Sequence, residues 1–244
     1  TVIESQEGEL LGAKIARDGQ WRFPAEDSIP YKFRQCIVHF EDRHFYKHPG
    51  FNPVAMVHAI RQNSKAGKVV RGGSTLTQQV IRLSRKGKSR TYFEKIIEII
   101  LATRLELRHS KAKILELYAA HAPFGGNVVG LEMASWRYFG VQSHQLSWAE
   151  SATLAVLPNA PSLIYPGKNQ QRLLEKRNRL LLDLHRDQII DAQTYRLAVA
   201  EPLPQKPFDL PQIAPHLLER IAKNHEGERI KTTIDIALQN RVNQ

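Results

Sequence analysis

Apolar positions recur at helical spacing along most of the chain. In residues 53–63, Val54, Val57 and Ile60 stand three apart with Met56 beside them, which predicts a helix. Ser28-Ile29-Pro30 is a helix start, with Ser28 as cap and Pro30 near the first turn, and it opens a helix over 31–44. Ser74 is placed to cap the free amides of Leu76 and Thr77, ahead of an apolar side made by Leu76, Val80, Ile81 and Leu83. Residues 92–107 and 112–120 predict two further helices. Residues 148–157 and 173–185 predict two more, with Pro158 and Pro161 breaking the chain between them. Strand-like stretches are confined to residues 2–23, punctuated by Gly8, Gly12 and Gly19, and to residues 229–237. Residues 65–73, with three glycines and three cations, read as a mobile loop, and four prolines between Ala200 and Ile213 read as a linker. The pattern predicts a mainly α domain with short flanking β segments, divided into a lead-in over 1–28, a helical unit over 29–200 and a linker-led segment over 201–244.

Composition narrows the class. Hydrophobic residues make up 42% and charged residues 24% of the 244 positions, which excludes disordered, collagen-like and coiled-coil chains. Cys36 is the only cysteine, so there is no intrachain disulfide framework. The longest apolar run, residues 96–105, is interrupted by Glu98 and Arg104, so no stretch spans a membrane, and no signal peptide is visible at Thr1.

The formal charge of +11 admits nucleic acid, an anionic membrane or a phosphate-bearing ligand. Its position decides among them. Residues 65–90 hold Lys65, Lys68, Arg71, Arg82, Arg85, Lys86, Lys88 and Arg90 and no acid, while the rest of the chain is close to neutral. That segment has no aromatic residue to stack on bases, and the chain has no zinc-finger spacing, so nucleic acid is not the expected partner. Phosphate or pyrophosphate fits better, with a solvated charged loop as the plain alternative.

Glu41-Asp42 closes the apolar run Cys36-Ile37-Val38-His39-Phe40 and precedes Phe45 and Tyr46. A carboxylate in such surroundings has a raised pKa and is a candidate general acid or base, unless it sits at the surface paired with Arg43 or Lys47. Glu98 is flanked by Ile96, Ile97, Ile99 and Ile100, with Lys95 one turn away. It reads as a ligand-orienting or catalytic acid, or as half of a buried structural pair. Gly72-Gly73-Ser74-Thr75-Leu76-Thr77-Gln78-Gln79 has the make-up of an anion-binding helix start, with Gln79 and Arg82 on one face, and a plain capped helix remains its alternative. It lacks the Gly-Lys-Ser/Thr ending of a Walker loop. His39, His44 and His48 have no further His or Cys cluster to complete a metal site and read as structural. No G-x-S-x-G nucleophile signature is present, and Cys36 reads as inert core.

Together these segments resemble the family 51 glycosyltransferase (peptidoglycan transglycosylase) domain of class A penicillin-binding proteins. Glu41-Asp42-Arg43-His44-Phe45-Tyr46-Lys47-His48-Pro49-Gly50 matches the E-D-x-x-F-x-x-H-x-G motif, and Gly73-Ser74-Thr75-Leu76-Thr77-Gln78-Gln79 matches G-S-T-I-T-Q-Q with one change. Lys95 and Glu98 fit R-K-x-x-E, with Glu94 where Arg is usual. Ile114-Leu115-Glu116-Leu117-Tyr118 fits I-L-E-x-Y, with Ala120 where Asn is typical, and Arg177-Asn178 falls in the last, weaker motif. Ala122-Pro123-Phe124-Gly125-Gly126-Asn127 looks most like the 1C subtype. Lys231-Thr232-Thr233-Ile234-Asp235 looks like the lead-in to the transpeptidase domain of these proteins. The motif set of that domain is missing, so neither transpeptidation nor acylation by penicillin is expected.

The resemblance implies a lysozyme-like helical fold with a small mobile jaw that dips into the membrane. It implies polymerisation of lipid II into β-1,4-linked glycan strands, with inversion and release of undecaprenyl pyrophosphate. The place would be the outer, periplasmic face of the bacterial cytoplasmic membrane, with an anchor helix expected ahead of Thr1. Glu41 is then the general base, and Glu98, oriented by Lys95, is the second catalytic residue. Ser74, Thr75, Gln78, Gln79, Arg82, Arg90 and Lys95 form the substrate-binding set. Expected partners are lipid II, the nascent glycan strand, an anionic membrane surface and moenomycin-type inhibitors. Mg2+ or Mn2+ is admitted as an assisting ion by the resemblance alone. The rival readings are a lysozyme-like glycan hydrolase and a non-catalytic peptidoglycan- or lipid-binding module, the second kept open by Glu94 and Ala120.

Overall fold

The computed structural model describes residues 1–24, 28–67, 73–85 and 91–242. Among them the architecture is mainly α, as the spacing of apolar residues predicts. Helix α1 (Tyr31–Glu41) packs against α7 (Trp148–Val156) and α8 (Gln170–Arg186), while α3 (Leu76–Ser84) packs against α4 (Tyr92–Arg108) and α5 (Lys111–His121). Phe33, Cys36 and Ile37 of α1, Leu115 and Tyr118 of α5, Leu154 of α7 and Leu181 of α8 share one buried core. Ala149, Ala152 and Ala155 line the buried face of α7, and side chains this small let neighbouring helices approach closely. No helix among the described residues is long and apolar enough to cross a membrane.

Most helix ends differ from the sequence expectation by a few residues, so that residues 65 and 66 of the expected loop belong to a helix, and two of the differences bear on the site. Helix α1 starts without a side-chain cap, so Ser28 does not cap it, and it ends at Glu41 rather than at 44. The backbone leaves the helix at Asp42 (φ −159°, ψ 73°), because the Asp42 carboxylate is drawn to partners outside α1. A 3-10 turn, Phe45–Lys47, follows before α2 (Pro53–Ala66). The cap of α3 is Thr75, one residue after Ser74, and Thr75 and Gln78 form a reciprocal capping box. The hydroxyl of Ser74 is thereby left for the functional site.

Strand β1 (Val2–Glu4) pairs antiparallel with β2 (Leu10–Ala13) and parallel with β6 (Arg229–Lys231), so both ends of the described chain meet in one sheet. Ile3, Leu11 and Ala214 are buried there under Leu217, Leu218, Ile221 and Ile230, apart from the main core. A second small sheet joins β3 (Trp21–Arg22), β5 (Val128–Val129) and β4 (Pro123–Gly125).

Arg177 of α8 is fully buried and serves the fold. Its guanidinium donates to the carbonyls of Glu201 (2.7 Å) and Val199 (3.1 Å) at the end of α9 (Ala192–Ala200) and to Asn178 Oδ1 (3.0 Å). It closes carbonyls that a helix end leaves free.

Candidate active site

Glu41, the last residue of α1, points at the first turns of α3. Its Oε2 accepts a hydrogen bond from Gln79 Nε2 at 2.6 Å, while its buried Oε1 has no protein partner. Burial pushes the Glu41 carboxyl above 4.5, and the negative Asp42 adds to this. The Gln79 hydrogen bond and the charges of Lys176 and Arg82 oppose the shift without cancelling it. A carboxyl with a raised pKa and one free oxygen is what proton abstraction requires.

Asp42 is turned the other way. Its carboxylate accepts from His48 Nε2 (2.9 and 3.1 Å) and from the Leu76 backbone amide (3.1 Å). The Gly50 amide donates to His48 Nδ1 (3.2 Å), so the ring proton sits on Nε2 and both ring nitrogens are committed. Gly50 lies against α4 at φ +94°, where an added Cβ would stand 2.8 Å from the Ala102 carbonyl. That approach requires glycine. The three histidines diverge, as a structural role predicts. His39 faces Asp187 at 3.3 Å, His44 is exposed, and His48 is buried on Asp42.

One turn along α3 from Gln79, Arg82 grips Glu98 of α4 with two parallel bonds, Nε to Oε1 at 2.8 Å and Nη2 to Oε2 at 2.9 Å. Ser74 Oγ accepts from Arg82 Nη2 (3.1 Å) and Lys95 Nζ (2.8 Å), and Lys95 also donates to Glu98 Oε2 (3.2 Å) and Gln78 Oε1 (3.2 Å). Burial alone would raise the Glu98 pKa, but the Arg82 bonds and the charges of Arg82 and Lys95 outweigh it and hold the carboxyl below the usual glutamate range. With both oxygens bonded to Arg82 or Lys95, the Glu98 carboxylate is set to hold these two cations in place. Two of the four isoleucines that flank it are not its cover: Ile96 and Ile100 are 55% and 61% exposed, whereas Ile97 and Ile99 are half-buried and Glu98 itself is buried.

The sequence-derived site residues thus fall into distinct places. Glu41, Gln79, Arg82, Ser74, Lys95 and Glu98 come together around the first turns of α3. Thr75 and Gln78 are buried in the capping box, with Thr75 Oγ1 donating to the Gly50 carbonyl at 2.6 Å, so they shape the start of α3 from beneath. Arg90 lies outside the described residues, as do Gly72, Lys68, Arg71, Lys86 and Lys88. Of the remaining cations in 65–90, Lys65 is exposed, while Arg82 and Arg85 are paired with acids of α4. Arg85 binds Glu94 through both Nε and Nη2. The departure at Glu94 therefore has a guanidinium set against it from α3. Ala120 lines a cleft with Phe23, Glu116 and Met133 that shares no residue with this cluster.

Two more residues lie beside Glu41: Lys176, which no motif marks, and Tyr118, which closes the I-L-E-x-Y match but whose place at Glu41 that match does not give. Lys176 of α8 donates to Asn159 Oδ1 at 2.8 Å; burial and Arg172 lower its pKa, and Glu41 opposes them. Tyr118 of α5 buries a phenol that has no protein partner, and burial, reinforced by Glu41, raises its pKa. Both are brought to the site by helix packing across many intervening residues.

Glu98 and Asp42 do not fit a resident Mg2+ or Mn2+, and Glu41 offers one free oxygen alone. Both oxygens of Glu98 are held by cations and both of Asp42 by nitrogen donors. Among the described residues no three His, Cys, Asp or Glu side chains gather as a ligand set.

A family model described as Transglycosylase matches residues 8–185. Penicillin-binding protein 1C of Escherichia coli K12 is 37% identical over all of this chain and 32% of its own length. Penicillin-binding protein 1A of Aquifex aeolicus is 36% identical over 87% of this chain and 31% of its own. Penicillin-binding protein 1B of E. coli K12 is 33% identical over 85% and 24%. The chain spans about a third or less of the length of these curated relatives.

Proposed function

The chain belongs to the transglycosylase family, and from that premise we propose that it polymerises lipid II into β-1,4-linked glycan, releasing undecaprenyl pyrophosphate. Glu41 takes the proton from the 4-hydroxyl of the acceptor sugar through its free Oε1. The acceptor oxygen attacks the anomeric carbon of the donor from the face opposite the pyrophosphate, which inverts that centre. Arg82 and Lys95 meet the departing pyrophosphate, with Ser74 as a hydroxyl donor. Charge stabilisation outweighs protonation for such a leaving group, and Arg82 Nη1 has no partner among the described residues. Glu98 keeps both cations aimed.

The observation that carries this reading is the span of one turn of α3: Gln79 holds the raised-pKa Glu41, and Arg82 holds the ionised Glu98. Two carboxyls pushed apart in this way take different roles. A lysozyme-like hydrolase would need the second carboxylate free to act on the sugar. Here its oxygens are occupied by cations, whose chemistry suits an anionic leaving group.

The described edge of α4 exposes Phe93, Ile96, Ile100 and Leu107, and α2 exposes Val54 and Val57. An apolar edge of this kind supports seating against the outer face of the cytoplasmic membrane, where lipid II is presented. Moenomycin-type inhibitors would compete on the cation side. Residues 29–200 carry the activity, and 201–244 are a linker and the start of a transpeptidase region, part of which folds back onto the first two strands.

Incubation of the chain with labelled lipid II tests the reading. Polymeric glycan and free undecaprenyl pyrophosphate are expected in step. Shortening of purified glycan strands with new reducing ends would establish the hydrolase instead, and binding without either product would establish the non-catalytic module.

A further inference from the structure

A closed ring of hydrogen bonds lies behind the site and touches none of the reacting groups. Glu106, near the end of α4, has a side chain only 7% exposed, and its Oε1 accepts from Thr77 Oγ1 at 2.5 Å and from Lys111 Nζ at 2.8 Å. Lys111, the first residue of α5, also donates to the His48 carbonyl at 2.7 Å and lies over the Phe45 ring, 4.4 Å from its centroid. His48 is bonded to Asp42, and Asp42 accepts from the Leu76 amide beside Thr77, which closes the ring. Four segments are tied by it: the loop over 42–50, α3, α4 and α5.

We propose that Thr77, Glu106 and Lys111 are positioning residues that fix the rotation of α3 and the seat of the 42–50 loop, and so place Gln79 against Glu41. The proposal rests on Glu41 being the base. Thr77 and Gln79 are two residues apart, so they project about 200° apart around α3. Pinning Thr77 to Glu106 on one side therefore sets where the Gln79 amide lands on the other. A rotation of about 10° about the helix axis moves that amide by roughly 1 Å, and a displacement of that size costs up to about a hundredfold in rate. Asp42, the residue after Glu41, is seated by the same ring through His48 and Lys111. Glu41 and its hydrogen-bond donor are thus located by one network from opposite ends.

The groups that face Glu41 are Asp42 at its own helix end, Gln79 and Arg82 from α3, Tyr118 from α5 and Lys176 from α8. Of these only Gln79 donates a hydrogen bond to it. Losing that bond removes a stabiliser of the ionised form, so the pKa of Glu41 rises further.

The test is Thr77→Val, which keeps shape and volume and deletes the hydroxyl. It is expected to lower kcat on lipid II tenfold or more, to leave KM within about twofold, and to move the acidic limb of the pH–rate profile up by about half a unit or more. Thr77→Ser restores both kcat and the limb. Lys111→Met changes both in the same direction, and Lys111→Arg returns part of the loss. A residue that serves only stability would lower the amount of active protein and leave the limb where it is. A Thr77→Val enzyme with the wild-type limb overturns the proposal, whether or not its yield falls. Glu41→Gln run in the same assay separates the two levels: normal turnover there defeats the base assignment itself, whereas an inactive Glu41→Gln beside an unshifted Thr77→Val defeats this inference alone.

Discussion

Glu41→Gln is expected to cut polymerisation of labelled lipid II by roughly a thousandfold, the scale of a lost general base, with the fold intact. The neutral amide can still accept from Gln79, so the contact that orients position 41 survives while the capacity to take a proton does not. Stability gives a second sign. The folded-state pKa of Glu41 is raised, so the folded protein holds its proton at pH values where the unfolded chain has released it. Stability therefore falls as pH rises through that window and stays lower above it. Removing the charge relieves this cost, and the variant should melt no lower than the wild type at neutral pH. Normal polymerisation by Glu41→Gln would show that another group takes the proton.

Arg82→Ala is expected to lose on the order of a hundredfold to a thousandfold in kcat/KM, as for removal of one preorganised charge-stabilising donor. It should also weaken a moenomycin-type competitor. The guanidinium bonds Glu98 through two nitrogens and Ser74 through one of them, so its removal leaves Glu98 to Lys95 alone. Arg82→Lys should recover only part of the loss, because an ammonium supplies the charge without the planar fork. Unchanged competitor affinity in Arg82→Ala would count against a pyrophosphate-facing role.

How far the sequence could be read depends on whether an interaction is local. The apolar spacing of Leu76, Val80 and Ile81 is a property of one helix and predicts α3 directly. The cap is local too, but Ser74 and Thr75 both qualify by chemistry. The choice between them is made by Lys95 and Arg82, which claim the Ser74 hydroxyl from outside the segment. Helix α1 ends three residues early for the same kind of reason, since Asp42 answers to His48 and Leu76. Glu98 was legible as a buried acid beside Lys95. Its dominant partner Arg82, on another helix, was not, and two of the isoleucines around it, Ile96 and Ile100, face outward. The cationic segment over 65–90 reads differently once Glu94 and Glu98 are in view, because two of its arginines are matched by carboxylates of α4. Lys176, Glu106 and Lys111 reach the site or its support only through helix packing, which no single-segment pattern encodes, and Tyr118, though part of a motif match, owes its place beside Glu41 to the same packing.

In the proposed reaction the base is a glutamate of raised pKa, held by Gln79 at the end of α1. The pH dependence of kcat/KM on lipid II tests it most directly. The predicted profile falls on the acid side with a midpoint above 4.5, the ordinary glutamate value, and that limb is absent from the residual activity of Glu41→Gln. A midpoint at or below 4.5, or the same limb surviving in Glu41→Gln, would contradict it.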